Sequence, residues 1–418
     1  MREGESREFR RGWAVLLTAA IGLAAGLSAV PYYTLSTFIA PLQAEFGWSR
    51  GEIGVAATIL TVMQFLTGPV MGRFADRHGV RRLLLPSALL LALATLGLTQ
   101  LGSSIAWFYA GYVLVAFAGS ATTSVAYSRV VNTWFERSRG LALGITMAGS
   151  GLTAFAMPLV LARVIGEHGW RGGYVACAIA ILAPWPLLWR YLRERVAYPQ
   201  GGAPVVHGLT TAQVVRTRRF WTMVAAAACF SPAIQVAVIH LMPMLGEIGL
   251  TAADAARAAS MLGVGIVLGR FISGTLLDRL PGTLVGPLLF LVPVAGYSIL
   301  YQQNAALAPY AVAIIGISIG VEGDLFAYFT ARYFGMRSYA ELFGWVFGVM
   351  CISGAAGPLL MLLLPESGGY RLPLLLSCAF AVVAAALLAT LGRYPDWSGR
   401  GDEAGEAAAD AQAPAIGR

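Results

Sequence analysis

Apolar runs long enough to cross a bilayer recur along nearly the whole chain, and this pattern constrains the fold more than any single motif. Twelve such stretches can be drawn, at 12–41, 54–71, 83–101, 105–131, 141–161, 173–189, 220–245, 258–277, 284–301, 308–329, 342–364 and 372–391. A spanning helix needs about 20 predominantly apolar residues. Lipid offers no partner for a free backbone group, so only helices or closed barrels cross it, and each run is too long for an ordinary strand. The expected class is therefore an all-α integral membrane protein with twelve transmembrane helices. Composition agrees: of 418 residues, 57% are apolar and 12% charged, against roughly a quarter charged in soluble domains. A water-soluble enzyme, a collagen, a disulfide scaffold and a disordered chain are all poor fits to these figures.

The formal charge is +8, and all 29 basic residues are arginine. In a polytopic chain such an excess marks cytoplasmic loops rather than a nucleic-acid partner. Counted between the spans, 22 arginines fall on one side with both termini and only 5 on the other. The expectation is a multi-pass protein of an inner membrane, embedded in the lipid bilayer, with both termini cytoplasmic. The arginines before the first apolar run resemble a signal peptide. That run is long and lacks a small-residue cleavage pattern, so it reads as a first span. Cys177, Cys229, Cys351 and Cys378 lie in apolar runs without a CxxC pair. They point to packing, and no metal or cofactor is expected.

The two halves repeat. Gly72, Asp76 and Arg77 return as Gly274, Asp278 and Arg279, 202 residues later, and Pro41 and Gly47 return as Pro243 and Gly249 at the same offset. Trp134-Phe135 matches Tyr333-Phe334 at 199, and Pro158 matches Pro358 at 200. Four matches at nearly one offset imply an internal duplication. The expected organisation is a six-helix bundle over 1–195, a cytoplasmic linker over 196–218, a second six-helix bundle over 219–396 and a disordered tail over 397–418. Two such halves suit a rocking transporter.

The segment Gly72-Arg73-Phe74-Ala75-Asp76-Arg77-His78-Gly79-Val80-Arg81-Arg82 resembles the loop 2–3 signature of the major facilitator superfamily. Residues 38–56, 134–151 and 240–256 resemble its monocarboxylate transporter and oxalate/formate antiporter branch. The resemblance implies the major facilitator fold, with helices 1, 4, 7 and 10 lining a cavity. It also implies gating by the loop motif: Gly72, Asp76, Arg77, Gly79 and Arg81, with Asp278 and Arg279 as the repeat. Physically, Gly72 admits a neighbouring helix, and Asp76 can accept from arginines or a helix N-terminus.

Arg270 is the leading site candidate. It lies seven residues inside Leu277, roughly 10 Å at helical rise. A charge so deep costs roughly 2.5–3.5 kcal/mol unless partnered or wetted. Its guanidinium fork suits a carboxylate, and the resemblance implies substrate pairing, since monocarboxylate-type carriers keep an arginine in the eighth helix. The alternative is a structural ion pair with span 10. That span holds Glu322 and Asp324, about 200° apart on a helix, so they point nearly opposite ways. Burial favours the neutral acid, which would let one of them carry a proton; neutralisation of Arg270 or Arg129 is the alternative. Some family members carry an acid one turn before the eighth-helix arginine, where this chain has Ile266, and a first-helix lysine that it lacks. Tyr32, Tyr33, Tyr127, Gln235 and Tyr328 are further candidates for substrate contact. Ser36, Thr37, Ser120, Ser124, Ser128 and Ser231 are weaker ones, since polar side chains also join membrane helices. His240 reads as a cap or gate at the outer end of span 7, and Arg129 as a snorkelling anchor.

Two motifs are decoys. Gly316-Ile317-Ser318-Ile319-Gly320 matches G-x-S-x-G but has no strand before it. No Walker sequence exists, and no lysine could complete one. The expectation is a monomeric, non-enzymatic secondary carrier. It would move a small organic anion, with a monocarboxylate foremost, by proton-coupled alternating access. Anion exchange, export of another solute and a transporter-like sensor are the alternatives.

Overall fold

Helix formation dominates because every apolar run must satisfy its own backbone. The computed structural model describes residues 3–195, 207–361 and 369–395. Among them, the α-helices run in order α1 (Glu3–Ala24), α2 (Val30–Phe46), α3 (Arg50–His78), α4 (Val80–Gly97), α5 (Ile105–Ala118), α6 (Ser124–Trp134), α7 (Arg139–Leu182), α8 (Trp185–Tyr191) and α9 (Thr211–Val214). They continue with α10 (Arg218–Glu247), α11 (Ala252–Arg279), α12 (Gly282–Tyr301), α13 (Ala308–Phe334), α14 (Tyr339–Met361) and α15 (Arg371–Ala389). Extended pairing among the described residues is confined to one isolated bridge, Gly208 with Gly335. The Pro and Gly positions 199–204 of the expected linker and the tail after 396 lie outside the described residues.

Nine described segments are by themselves long and apolar enough to cross a membrane. The gap from twelve spans has local causes. Spans 5 and 6 run together as α7, where Gly169 takes φ 69° and ψ 179°. Gly173 then abuts Ile165 and Gly172 abuts His168, so the chain doubles back at that glycine. Spans 1 and 4, expected as single helices, are each interrupted: α1 gives way to α2 across 25–29, and α5 to α6 across 119–123.

The two interruptions meet. Leu27 N donates to Thr122 Oγ1 at 3.0 Å, and that hydroxyl donates to Gly119 O at 2.7 Å. A Cβ on Gly26 would run into the Thr122 carbonyl. Thr153 Oγ1 takes up the Ala24 carbonyl at 2.6 Å, and Ser87 Oγ accepts from Ala121 N at 3.3 Å. Side chains thus replace helical hydrogen bonds, the condition for a break at membrane depth.

Termini are capped in the expected way. Ser49 and Glu52 form a reciprocal capping box at the start of α3. The Glu8 carboxylate accepts from the amides of Arg137 and Ser138, each at 3.2 Å, just ahead of α7. Gly79 ends α3 and opens α4 with φ 82°, a backbone state that L side chains rarely adopt.

The chain forms two compact units: Met1–Val196 with Phe343–Gly348, and Ala197–Leu342 with Val349–Arg418. The first has a core around Phe38, Trp48, Phe108, Tyr112, Trp170 and Tyr174, with Phe38 stacked on Tyr174 at 4.1 Å. The second has one around Met244, Tyr297, Leu300, Val312, Ile315 and Leu374. Large apolar side chains also cover the outside: Trp107 and Phe155 are 71% and 73% exposed. Such apolar exteriors belong in lipid rather than water.

Candidate functional site

A glycine seam builds the site in the second unit. Gly265 and Gly269 on α11 face Gly316 and Gly320 on α13, both pairs at i, i+4. A Cβ on any of the four would strike a carbonyl of the other helix: Ala313, Ile317, Leu262 and Ile266 respectively. Small residues at this spacing let two backbones touch. The same face of α13 continues at i+4 to Asp324 and then Tyr328, whose hydroxyl donates to Leu277 O on α11 at 2.8 Å. Asp324 is thereby held inside the seam, 1% exposed. Arg270, the residue after Gly269, brings Nη1 to 3.6 Å from Asp324 Oδ1. That is an ion pair but not a hydrogen bond. Both Asp324 oxygens and Arg270 Nε are buried without a hydrogen-bond partner among the described residues. The guanidinium therefore retains donors that the carboxylate does not use.

Glu322 points the other way, as a 200° separation requires. Its carboxylate accepts from Ser231 Oγ on α10 and makes no ion pair among the described residues. Pro232, the next residue of α10, removes one helical donor. Tyr297 Oη on α12 donates to Ala233 O at 2.9 Å, and Gly354 on α14 abuts Gln235 and Ser231. Phe326 packs edge-on to Phe290, which stacks on Phe230 at 3.7 Å, giving this carboxyl an apolar wall. Two acids two residues apart thus occupy unlike settings, one beside a cation and one beside a hydroxyl.

In the first unit the loop motif closes a buried ionic cluster. Arg129 on α6 pairs with Asp76 and, through Nε, with Glu194 Oε1 at 2.8 Å. The other Glu194 oxygen accepts from Val80 N at 2.9 Å, at the first turn of α4. Arg129 is 7% exposed, which corrects the snorkelling expectation: two carboxylates hold it inside, where desolvation is offset by charge-assisted hydrogen bonds. Arg81 reaches the Trp189 carbonyl and lies over the Trp189 ring at 5.9 Å.

The sequence model of the Major Facilitator Superfamily matches residues 21–358. The chain belongs to this superfamily. As a superfamily member it is a transporter, not an enzyme. It is 24% identical to monocarboxylate transporter 13 of Bos taurus over 411 residues, covering 92% of this chain and 90% of that protein. It is 25% identical to an MFS-type transporter of Gibberella moniliformis, covering 92% of each. Among solved structures, the E. coli fucose:proton symporter FucP shares the fold with a TM-score of 0.71 at 16% identity, over 91% of this chain and 98% of that one. The proton:xylose symporter XylE does so with a TM-score of 0.71 at 11% identity, over 91% and 96%.

The structure also places the remaining residues singled out from the sequence of this transporter. Tyr328 belongs to the Arg270 seam, with its hydroxyl committed to backbone, and Gln235 lies one turn along α10 from Ser231. Tyr32 and Tyr33 are about one-third exposed on α2, with rings edge to face at 5.5 Å, whereas Tyr127 is buried against Gly22 of α1. Of the gating set, Gly72 is buried, Arg77 and Arg279 are exposed, and Asp278 is half-buried near the end of α11. His240 Nδ1 and Tyr370 Oη are 3.4 Å apart. Two features went unread in the sequence. The G-x-S-x-G decoy is a packing motif, visible as G-x-x-x-G matched by Gly265 and Gly269. Glu194 gives no signal, because it lies 65 residues from Arg129.

Proposed function

We propose that this transporter moves a small organic anion, a monocarboxylate foremost, by proton-coupled alternating access. Arg270 would pair the solute carboxylate. The observation that carries this reading is the incomplete Arg270–Asp324 pair, a deep cation with donors left over beside an acid that does not hydrogen-bond to it. An incoming carboxylate can take the fork while Asp324 takes a proton, so charge in the seam stays balanced. Glu322, with no ion pair among the described residues, is the second proton-carrying candidate. Similarity to monocarboxylate transporter 13 supports the substrate class. Residence in an inner membrane with cytoplasmic termini, a monomeric state, and bundles over 1–195 and 219–396 belong to the same proposal.

The test is uptake of radiolabelled lactate into proteoliposomes under an imposed pH gradient. Wild-type protein should respond to the gradient, and Arg270→Lys should fold yet lose most uptake, because a point charge cannot replace a planar fork. Wild-type uptake by that variant would remove Arg270 from the site. Ile266, where some family members carry an acid, favours exchange as the second reading. Counterflow that persists without any pH response would establish it.

A further inference from the structure

The interrupted fourth span leaves a helix N-terminus open within the first unit. We propose that the start of α6 is a binding site for one small anion, a single carboxylate or a halide. α6 has 11 residues, and its N-cap residue Thr123 makes no side-chain capping bond. Ala126 N reaches Thr123 O at 3.2 Å, while the amides of Thr123, Ser124 and Val125 have no carbonyl partner among the described residues. Helix-start amides of this kind carry a partial positive charge and bind anions. The break divides the fourth span near its middle, where broken helices of other carriers present their N-termini to anions.

The independent sign of a missing ligand is Ser124. Its Oγ is buried without a hydrogen-bond partner, and the residue is 6% exposed. Cα–Cβ bonds tilt toward a helix N-terminus, so a hydroxyl at the first position is directed at the open end. A buried hydroxyl left unpaired beside unpaired amides is costly unless something accepts from both. Asp76 of α3 is paired with Arg129. A small cavity, about 10 Å³ and lined by Gly68, Gly72, Ser120, Thr123 and Val125, flanks the same turn. That is about the volume one water needs.

The internal repeat gives the same answer by a separate route. At the offset of 199 that relates spans 4 and 10, Thr123 corresponds to Glu322 and Ser124 to Gly323. Where the second unit supplies its own carboxylate, the first supplies donors and no acid. The site does not depend on Arg270, and its ligand could be the transported carboxylate or a free inorganic anion.

The experiment is thermal unfolding of the protein in detergent, titrated with sodium chloride or sodium lactate against the sodium salt of a bulky sulfonate at equal ionic strength. Wild type should show saturable stabilisation by chloride, lactate or both. Ser124→Ala, which keeps the amides, should weaken the apparent affinity about 5-fold. Ser124→Asp, which brings its own carboxylate to the helix end, should abolish the response. Stabilisation by lactate alone assigns the site to the solute, and by chloride to an inorganic ion. No saturable response in wild type, or one that Ser124→Ala leaves unchanged, overturns the proposal. Arg270→Lys should keep the chloride response, so a failed carboxylate assignment at Arg270 would not be mistaken for failure here.

Discussion

Replacing Asp324 by Asn separates a charge-balanced seam from one that merely packs. Arg270 Nη1 and Asp324 Oδ1 are 3.6 Å apart. At an effective dielectric of about 20 their attraction is about 5 kcal/mol. Part of that is offset by desolvation, and no hydrogen bond adds to it. Removing one member of a buried pair leaves the other uncompensated and costs about 3–5 kcal/mol. Asp324→Asn keeps the side-chain shape, so its expected loss is at the lower end, about 3 kcal/mol. Arg270→Met strands the carboxylate and should lose about as much. The double variant removes both charges and should lose far less than the sum, leaving a coupling energy of about 2–3 kcal/mol. The assay is reversible unfolding in dodecylmaltoside micelles titrated with SDS, followed by tryptophan fluorescence. The same preparations should show tighter lactate binding in Asp324→Asn, because its guanidinium no longer has a resident carboxylate. Strict additivity of the two single variants would refute the electrostatic account, whatever their separate sizes.

Gly320→Leu should destabilise the protein by about 3 kcal/mol or prevent its folding, since overpacking a tight contact is rarely relieved; normal expression and melting would show that the α11–α13 backbone contact is not close. Thr122→Val keeps the volume but leaves Leu27 N unpartnered, for a loss of about 1–3 kcal/mol, whereas Thr122→Ser should be nearly silent in the same SDS titration. Glu45 sits outside the spans. The Trp170 indole, donating at 2.7 Å, and then Arg171 hold its carboxyl below the ordinary value of 4.5. Its folded pKa is depressed, so its contribution is present above pH 4.5 and lost as pH falls through the lowered folded value. Glu45→Gln should therefore flatten the acid side of the stability–pH curve, and an unchanged acid limb would contradict the link.

The fold class was legible because lipid makes hydrophobic length nearly sufficient to place a helix. Arg270 was legible for the complementary reason: an ionised group within a span is rare enough to need a cause. What the sequence hid was pairing at a distance. Asp324 and Glu322 could be placed on opposite faces from helical geometry, but which face met the arginine depended on Gly265, Gly269, Gly316 and Gly320 drawing α11 onto α13. The breaks in spans 1 and 4 were hidden differently. Gly26 and the run Gly119-Ser120-Ala121-Thr122-Thr123 read as tolerable small residues within an apolar helix. Only their mutual contact, Thr122 against Gly26 and Leu27, makes an interruption cheaper than continuity.

That contact gives the duplication a meaning beyond ancestry. At an offset of 202, Ala29 corresponds to Ser231, and at 199, Thr123 corresponds to Glu322. In the second unit those positions form the Ser231–Glu322 hydrogen bond between two continuous helices. In the first they flank the hydrogen bond from Leu27 to Thr122, between two broken helices. The repeat has kept a polar crossing of its first and fourth spans in both halves while changing its chemistry. One half carries a buried acid on a continuous helix. The other carries open backbone donors, which exist only because the helix is broken.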